Sequence, residues 1–178
     1  MTQLVALLRG VNLGNRKIRM DDLRQSFARA GFAGARTLLA SGNVVFEGEK
    51  SPETVTRIET QLEKDFGFRV ETILRSMNAL GQMVASNPFA GFASGADTKF
   101  YVFFLGAPET HKLTLPCAAP GDFEVVGTTP SDIFAVAYRM PNGRFGQGLD
   151  NLGKPFGRYI TNRNWNTVLR LTAMDQNP

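Results

Sequence analysis

The chain has 178 residues, of which 43% are hydrophobic and 20% charged, and its formal net charge is +4; this ordinary globular composition excludes a disordered or fibrous chain. A single cysteine excludes a disulfide framework, the N-terminus lacks the pattern of a signal peptide, and no apolar run approaches the ~18 residues that span a bilayer. We therefore expect a soluble, cytoplasmic protein that makes no contact with a membrane.

The first 76 residues are predicted to form strand, helix, strand, strand, helix, strand. Residues 3–9 are apolar enough for a buried strand. Ser51 and Pro52 suit the N-cap and first residue of the second helix, and Gly67 suits its end. This order is that of a ferredoxin-like, split β-α-β unit.

Residues 77–178 are predicted to form a second α+β subdomain, for which a permuted ferredoxin-like unit is one interpretation. Ser76 caps its first helix, residues 99–105 form a strand central in the second sheet, and residues 150–159 and 165–174 form short helices. The fold class predicted for the whole chain is α+β, with two ferredoxin-like (split β-α-β) subdomains, residues 1–76 and 77–178, and mainly antiparallel sheets.

Charge is distributed unevenly along the chain. Residues 1–50 carry eight Arg and Lys against four Asp and Glu, residues 51–138 carry six against ten, and residues 139–178 carry six against two. If the two basic ends meet, they form a face suited to phosphates or to an acidic partner. A mixed, solvated surface is an equally good interpretation.

The loop Gly10-Val11-Asn12-Leu13-Gly14-Asn15-Arg16-Lys17 follows a strand and precedes a helix. Glycines allow a backbone to approach a phosphate, and Lys17 would neutralise it. The spacing is not that of a P-loop, so a flexible connection with a basic tip is the simpler interpretation. Arg9 ends a buried strand, where α/β sheets often place groups that contact a ligand.

Two further polar segments have both a structural and a functional interpretation. Ser41-Gly42-Asn43 suits a tight turn, or a polar contact near Arg9. Residues 161–167 surround Trp165 with polar side chains, which suits base stacking and recognition. The same segment also suits a helix cap by Asn162 or Asn164 with Trp165 in the core.

Catalytic and metal motifs are missing from the sequence. The only histidine is His111 and the only cysteine is Cys117, which do not make a zinc site or a Cys-His centre by spacing. We expect no catalytic residues, no metal and no cofactor. Asp21 and Asp22 offer two carboxylates to a divalent cation, but the dipole of the helix that they begin is the simpler explanation.

Several of these segments resemble one protein family. They are ALLRGVNLGNRK with IRMDDLR, GFAGARTLLASGNVVFE, Ser86-Asn87-Pro88-Phe89 and TNRNWNTVLRL. Together they are similar to the bacterial family of domain of unknown function 1697 (DUF1697), over nearly the whole chain. The resemblance implies an α+β fold with two ferredoxin-like subdomains and no established activity. Residues 143–148 depart from the Ser-Lys pair that the family more often has there.

We expect the candidate residues to line one basic, amide-rich groove for a ligand: Arg9, Asn12, Lys17, Ser41, Gly42, Asn43, Arg163, Asn164, Trp165 and Asn166. The preferred hypothesis is a non-catalytic binder of nucleic acid or of a nucleotide, so that the partner is a nucleic acid or a phosphate-bearing small molecule. The alternatives are an enzyme acting on a small anionic substrate and a protein-interaction module. The sequence leaves the oligomeric state open.

Overall fold

A computed structural model describes residues 1–115 and 117–174 of the chain. The strands within these residues are β1 (Thr2–Leu8), β2 (Arg36–Leu38), β3 (Asn43–Gly48), β4 (Thr72–Ser76), β5 (Thr98–Leu105), β6 (Ala118–Ala119), β7 (Phe123–Thr128), β8 (Asp132–Tyr138) and β9 (Ile160–Asn164). The helices are α1 (Met20–Arg29), α2 (Pro52–Phe66), α3 (Met77–Ser86), α4 (Leu149–Leu152) and α5 (Trp165–Ala173). Two 3₁₀ turns span Thr110–Lys112 and Lys154–Phe156.

The chain forms two compact units, and the first is Met1–Gly81. Its sheet has the strand order β2-β3-β1-β4, and every neighbouring pair is antiparallel. One face of this sheet packs against α1 and α2, because Phe27 and Ile58 from the helices share a core with Leu4 and Ala6 of β1. Both faces of β1 are covered, because Leu4 to Leu7 are completely buried.

The residues predicted from the sequence to cap α2 and α3 do cap these helices. Ser51 Oγ accepts a hydrogen bond from Thr54 N at 3.2 Å, and Ser76 Oγ accepts one from Ala79 N at 3.1 Å. Gly67 ends α2 in the left-handed conformation, with φ of 76°. Each of these contacts satisfies a backbone group that a helix end otherwise leaves open.

The second unit begins at Gln82 and contains the five-stranded sheet β6-β7-β8-β5-β9. Its strands are also antiparallel throughout. Because β5 lies between β8 and β9, the prediction that residues 99–105 form an interior strand is confirmed. The α+β class with mainly antiparallel sheets is confirmed as well, whereas the ferredoxin-like description and the subdomain bounds 1–76 and 77–178 stay predictions.

The segment before the last helix differs from the sequence prediction. Instead of one helix over residues 150–159, the chain makes the single turn α4 and the 3₁₀ turn Lys154–Phe156. Gly153 lies between the two and Pro155 lies within the 3₁₀ turn, and glycine and proline both disfavour a continuous helix. The following residues form β9, a strand that was not predicted, because the polar segment 161–167 was interpreted as a recognition segment or as a helix cap.

The two sheets repeat the same register. In each unit the first strand lies inside the sheet, an antiparallel pair (β2 and β3, or β7 and β8) lies beside it, and the last strand pairs with its other edge. Val5 of β1 is opposite Arg75 of β4, and Val102 of β5 is opposite Arg163 of β9. Arg75 and Arg163 are both buried and both bond the carbonyl oxygen of the preceding residue. The second unit is therefore a structural repeat of the first.

The helices that covered one sheet face in the first unit have no long counterparts in the second. Where α1 and α2 connect strands of the first sheet, the second unit has a 3₁₀ turn, the short α4 and irregular segments. The matching sheet face is consequently covered less completely. Tyr101, which occupies the register position of the fully buried Leu4, is only half-buried.

The tight turn between β2 and β3 allows a direct test of packing. Gly42 has φ of 76°, and a Cβ atom there would lie 3.0 Å from the Leu8 side chain. Replacing Gly42 with Ala is expected to lower the free energy of unfolding by about 2–3 kcal/mol, from backbone strain and crowding together. Urea unfolding measures this loss.

Gly34→Ala is the matched control, because Gly34 has φ of 77° and open space around its Cβ position. We expect this variant to lose only the backbone component, about 1 kcal/mol. Equal losses in the two variants would show that the Gly42 turn is not tightly packed against β1.

None of the helices within the described ranges is long and apolar enough to cross a membrane.

Candidate functional site

The candidate residues of the first unit gather at the C-terminal end of β1. Leu8 N donates to Gly42 O at 2.9 Å, which places the turn next to Arg9. Arg9 N donates to Glu71 O at 2.9 Å, so its backbone is fixed from the other side. The structure thus brings Arg9 and the Ser41-Gly42-Asn43 turn together, as the sequence led us to expect.

The side-chain amides of Asn12 and Asn43 form hydrogen bonds with backbone groups of neighbouring segments. Asn12 adopts a left-handed conformation, with φ of 60°, and its amide bonds Ala40 O at 2.8 Å and Ile18 N at 2.7 Å. Asn43 is completely buried, and its Nδ2 donates to Leu38 O and to Ser41 Oγ, both at 2.9 Å. Asn43 therefore stabilises the turn itself, whereas Ser41 lies at the exposed surface.

The basic loop is anchored at its base and exposed at its tip. Val11 and Ile18 are buried, whereas Leu13 is 67% exposed and Lys17 is exposed. The Arg16 guanidinium lies 4.7 Å from the centre of the Phe68 ring, a cation–π contact. Lys17 thus stays available to an anion, but the loop does not form a closed phosphate cradle.

The candidate residues of the second unit point to different faces of its sheet. Successive residues of a strand alternate between faces, so Arg163 is on the face opposite to Asn162 and Asn164. Arg163 is buried, and its Nη1 donates to Thr161 Oγ1 at 2.8 Å and to Asn162 O at 2.7 Å. Burial lowers the pKa of Arg163 to about 10, which leaves it charged at neutral pH. These contacts give Arg163 a structural role and put it away from Asn164.

Trp165 belongs to the core, and Asn164 caps the helix that Trp165 begins. The Trp165 side chain is 9% exposed and meets the Phe89 ring edge-on at 5.2 Å between centres. Asn164 Oδ1 accepts from Asn166 N at 2.9 Å. Of the two interpretations of residues 161–167, cap and core are correct for these side chains, and Trp165 does not offer an open stacking surface. That all ten candidates line one groove stays a prediction.

A groove of about 560 Å³ lies on the incompletely covered sheet face of the second unit. One wall is the sheet, the other is the glycine-rich turn that follows β8, and α4 closes one end. Its lining residues are Lys99, Tyr101, Gly143, Arg144, Phe145, Gly146, Gln147, Leu149, Asp150 and Asn162. The volume is within the range of small-molecule sites in proteins.

Small residues on β8 make room for the groove. Lys99 and Tyr101 of β5 are opposite Ala137 and Ala135. Alanine leaves space above the sheet where a larger side chain would fill it. The Lys99 amine lies 4.2 Å from the centre of the Phe145 ring, which holds it at the groove wall.

The turn that forms the second wall is fastened at two points. Gly146 packs so closely on the sheet that a Cβ atom would lie 3.0 Å from the Ala137 Cβ. Gly148 N donates to Asp122 Oδ2 at 2.7 Å, and there is no room for a side chain at Gly148 either. The wall is therefore preformed, which lowers the entropy cost of binding.

The pKa of Tyr101 is a property of the groove that can be measured. Its pKa is raised above the usual value of 10.0, mainly because burial disfavours the phenolate, while a hydrogen bond with the Asn164 side chain opposes the shift. Because the pKa of Tyr101 is higher in the folded state than in the unfolded state, the unfolded state loses its phenol proton first as pH rises. The contribution of Tyr101 to the free energy of unfolding is therefore complete below pH 10 and is lost as pH rises through the raised pKa.

We expect the ultraviolet titration of tyrosine to contain a component above pH 10 that Tyr101→Phe removes. Tyr138 supplies a second such component, because its hydrogen bond with the Glu124 carboxylate raises its pKa. Tyr138→Phe is therefore the control, and it removes that other component. If Tyr101→Phe leaves the alkaline part of the curve unchanged, the environment of Tyr101 is not as described.

Sequence reasoning missed the residues of this groove. Residues 99–105 were predicted only as a central strand, although Lys99, Tyr101 and Phe103 alternate with Phe100 and Val102. That alternation is the signal that would have placed a lysine and a tyrosine on one face of the strand.

Within the described ranges, no three side chains of His, Cys, Asp or Glu are grouped to hold a metal ion.

Comparison with known proteins places the chain in one family. The chain is similar to a solved structure, that of the conserved bacterial protein SP0830 from Streptococcus pneumoniae, with 23% identity and a TM-score of 0.73 over 99% of each chain. At this identity the likeness shows the fold alone. No curated protein matches the chain. The profile of the family described as "Protein of unknown function (DUF1697)" matches residues 1–134. The resemblance read from the sequence motifs is thus confirmed, and the chain belongs to the DUF1697 family.

Proposed function

We propose that this protein is a non-catalytic binder of a nucleotide, and that the groove of the second unit is its site. The observation that carries the proposal is the combination of cations, aromatic rings and amides around one preformed space. Lys99 and Arg144 supply two positive charges and Asp150 one negative charge, so an anionic ligand is favoured.

Each type of lining residue has a counterpart in a nucleotide. Arginine and lysine bind phosphate oxygens, with arginine able to donate two parallel hydrogen bonds. The rings of Tyr101 and Phe145 suit a flat base, and stacking contributes about 1–3 kcal/mol per base. Gln147 and Asn162 both donate and accept hydrogen bonds, as recognition of a base or sugar requires.

A free nucleotide suits the groove better than a nucleic acid does. The volume of about 560 Å³ accommodates one nucleotide, and α4 limits the space at one end. The aromatic residue on which single-strand binding was expected, Trp165, is in the core. For these reasons the nucleotide is the preferred ligand of the two phosphate-bearing classes considered from the sequence.

Nuclear magnetic resonance with nucleotide titration tests the proposal on the intact chain. On addition of ATP at low salt, the amide signals of Lys99, Tyr101 and Asn162 are expected to shift together, with a dissociation constant below about 1 mM. Signals of the β2–β3 turn in the first unit serve as the internal control and should stay in place. No shift at millimolar ATP, or shifts confined to the first unit, would reject the groove as the site. Conversion of ATP during the titration would favour the enzyme hypothesis instead.

A further inference from the structure

A small side pocket of about 90 Å³ opens beside the groove in the second unit. Three of its lining residues, Leu149, Asp150 and Asn162, also line the groove. The floor of the side pocket is apolar and includes Phe103 and Ile160. The two spaces therefore meet at a border that carries one carboxylate and one carboxamide.

The carboxylate at this border needs an explanation, because the groove otherwise suits an anion. Asp150 is exposed and is the second residue of α4, close to where a negatively charged ligand would lie. A carboxylate accepts hydrogen bonds and does not donate them, so it repels phosphate and attracts hydroxyl groups. Sugar hydroxyls adjacent to each other donate to an acidic residue in this way in dinucleotide sites.

Asn162 complements Asp150 at the same border. Its side chain is exposed, and it projects from a strand position that is fixed by pairing with Phe103 and by the bond from Arg163 to its carbonyl oxygen. An amide offers two donor hydrogens and one acceptor oxygen. The pair therefore matches two neighbouring hydroxyl groups, while the apolar floor matches the carbon skeleton of a sugar.

Asn162, at the border, and Lys99 lie at different positions along the sheet, and the distance between them can be estimated from the strand register. Asn162 is opposite Phe103, which lies four residues beyond Lys99 on the same strand and the same face. At about 3.3 Å per residue this is about 13 Å along the strand. Phosphate at the Lys99 end and hydroxyls at the Asp150 end are thus far enough apart for one ligand to carry both.

From these observations, and resting on the proposed function, we propose that the groove selects ribonucleotides, with Asp150 and Asn162 receiving the two ribose hydroxyls. The 2′-hydroxyl is the group that distinguishes a ribonucleotide from its deoxy counterpart. Without it the ligand makes one hydrogen bond fewer to the Asp150 carboxylate, and hydrogen bonds to charged groups are stronger than those between neutral groups.

Calorimetric binding of ATP and 2′-deoxy-ATP to the intact protein and to Asp150→Asn tests the inference. The intact protein is expected to bind ATP at least tenfold more tightly than the deoxy form. Asp150→Asn should reduce this preference to about twofold or less, by weakening ATP binding and leaving deoxy-ATP binding nearly unchanged. Asp97→Asn removes another exposed carboxylate of the same unit and should retain the preference.

Other outcomes separate the inference from the function on which it rests. Equal binding of the two nucleotides by the intact protein overturns the ribose assignment but leaves nucleotide binding intact. Tighter binding of both nucleotides by Asp150→Asn overturns it too, because Asp150 would then only repel the phosphates. If the intact protein binds neither nucleotide, the proposed function fails and the inference fails with it.

Discussion

Replacing Lys99 and Arg144 together with alanine is expected to weaken ATP binding about 100-fold at low salt. Each of these side chains would donate a charge-assisted hydrogen bond to phosphate, worth about 1.5–3 kcal/mol. Losing both bonds costs about 3 kcal/mol or more, which corresponds to a factor of a hundred or somewhat above. Both side chains are exposed, so the thermal midpoint of unfolding should hardly change.

The control variant removes the same charge from the same unit at positions outside the groove. Lys112 and Arg170 are both exposed, and neither lines the groove. Lys112→Ala with Arg170→Ala is expected to weaken ATP binding less than threefold, through the long-range field alone. Similar losses in the two double variants would mean that net charge, and not this groove, determines the affinity. No loss from the groove variant would place the ligand elsewhere.

Local signals in the sequence predicted the helices of the first unit well. The cap at Ser51 and the glycine at position 67 act within one turn of the helix that they bound, so their effect is visible in a few consecutive residues. The apolar spacing of α1 and α2 has the same property, because it reports one face of one element. Such features depend little on distant parts of the chain.

The strand β9 could not be recognised in the same way. Its neighbour in the sheet is β5, about 60 residues earlier in the chain, and that pairing is what makes the segment a strand. Arg163 appears in the sequence as an ordinary basic residue, although it is buried against backbone oxygen and the Thr161 hydroxyl. Polar residues that alternate with buried polar residues give no hydrophobic period for a sequence pattern to detect.

The groove depends on long-range contacts as well. Its turn is positioned by Asp122, which precedes Gly148 by 26 residues, and its depth depends on two alanines of β8. The sequence marked residues 143–148 as unusual for the family but gave no partner for them. The sequence does contain one signal for the groove, which is the alternation that puts Lys99, Tyr101 and Phe103 on one face of β5.

Arg163→Ala is expected to lower the free energy of unfolding by about 3 kcal/mol or more. The substitution leaves a cavity at a buried position and takes the donor away from Thr161 Oγ1 and Asn162 O. Truncating one member of a buried polar contact costs more than the net worth of that contact, because the remaining groups stay buried without water. Urea unfolding measures the loss, and Arg170→Ala, at an exposed position of α5, should change stability by less than about 0.5 kcal/mol.

Arg163→Met separates the structural role of this residue from a role in binding. Methionine fills most of the volume but donates no hydrogen bond, so the expected loss of stability lies between those of the alanine variant and the intact protein. Because Arg163 and Asn162 project to opposite faces of β9, ATP affinity at the groove should stay within about twofold of the intact value. Arg75→Ala should repeat the stability loss in the first unit, since Arg75 has the same register position and bonds Leu74 O at 3.0 Å. A folded Arg163→Met protein that no longer binds ATP would instead restore Arg163 to the ligand site expected from the sequence.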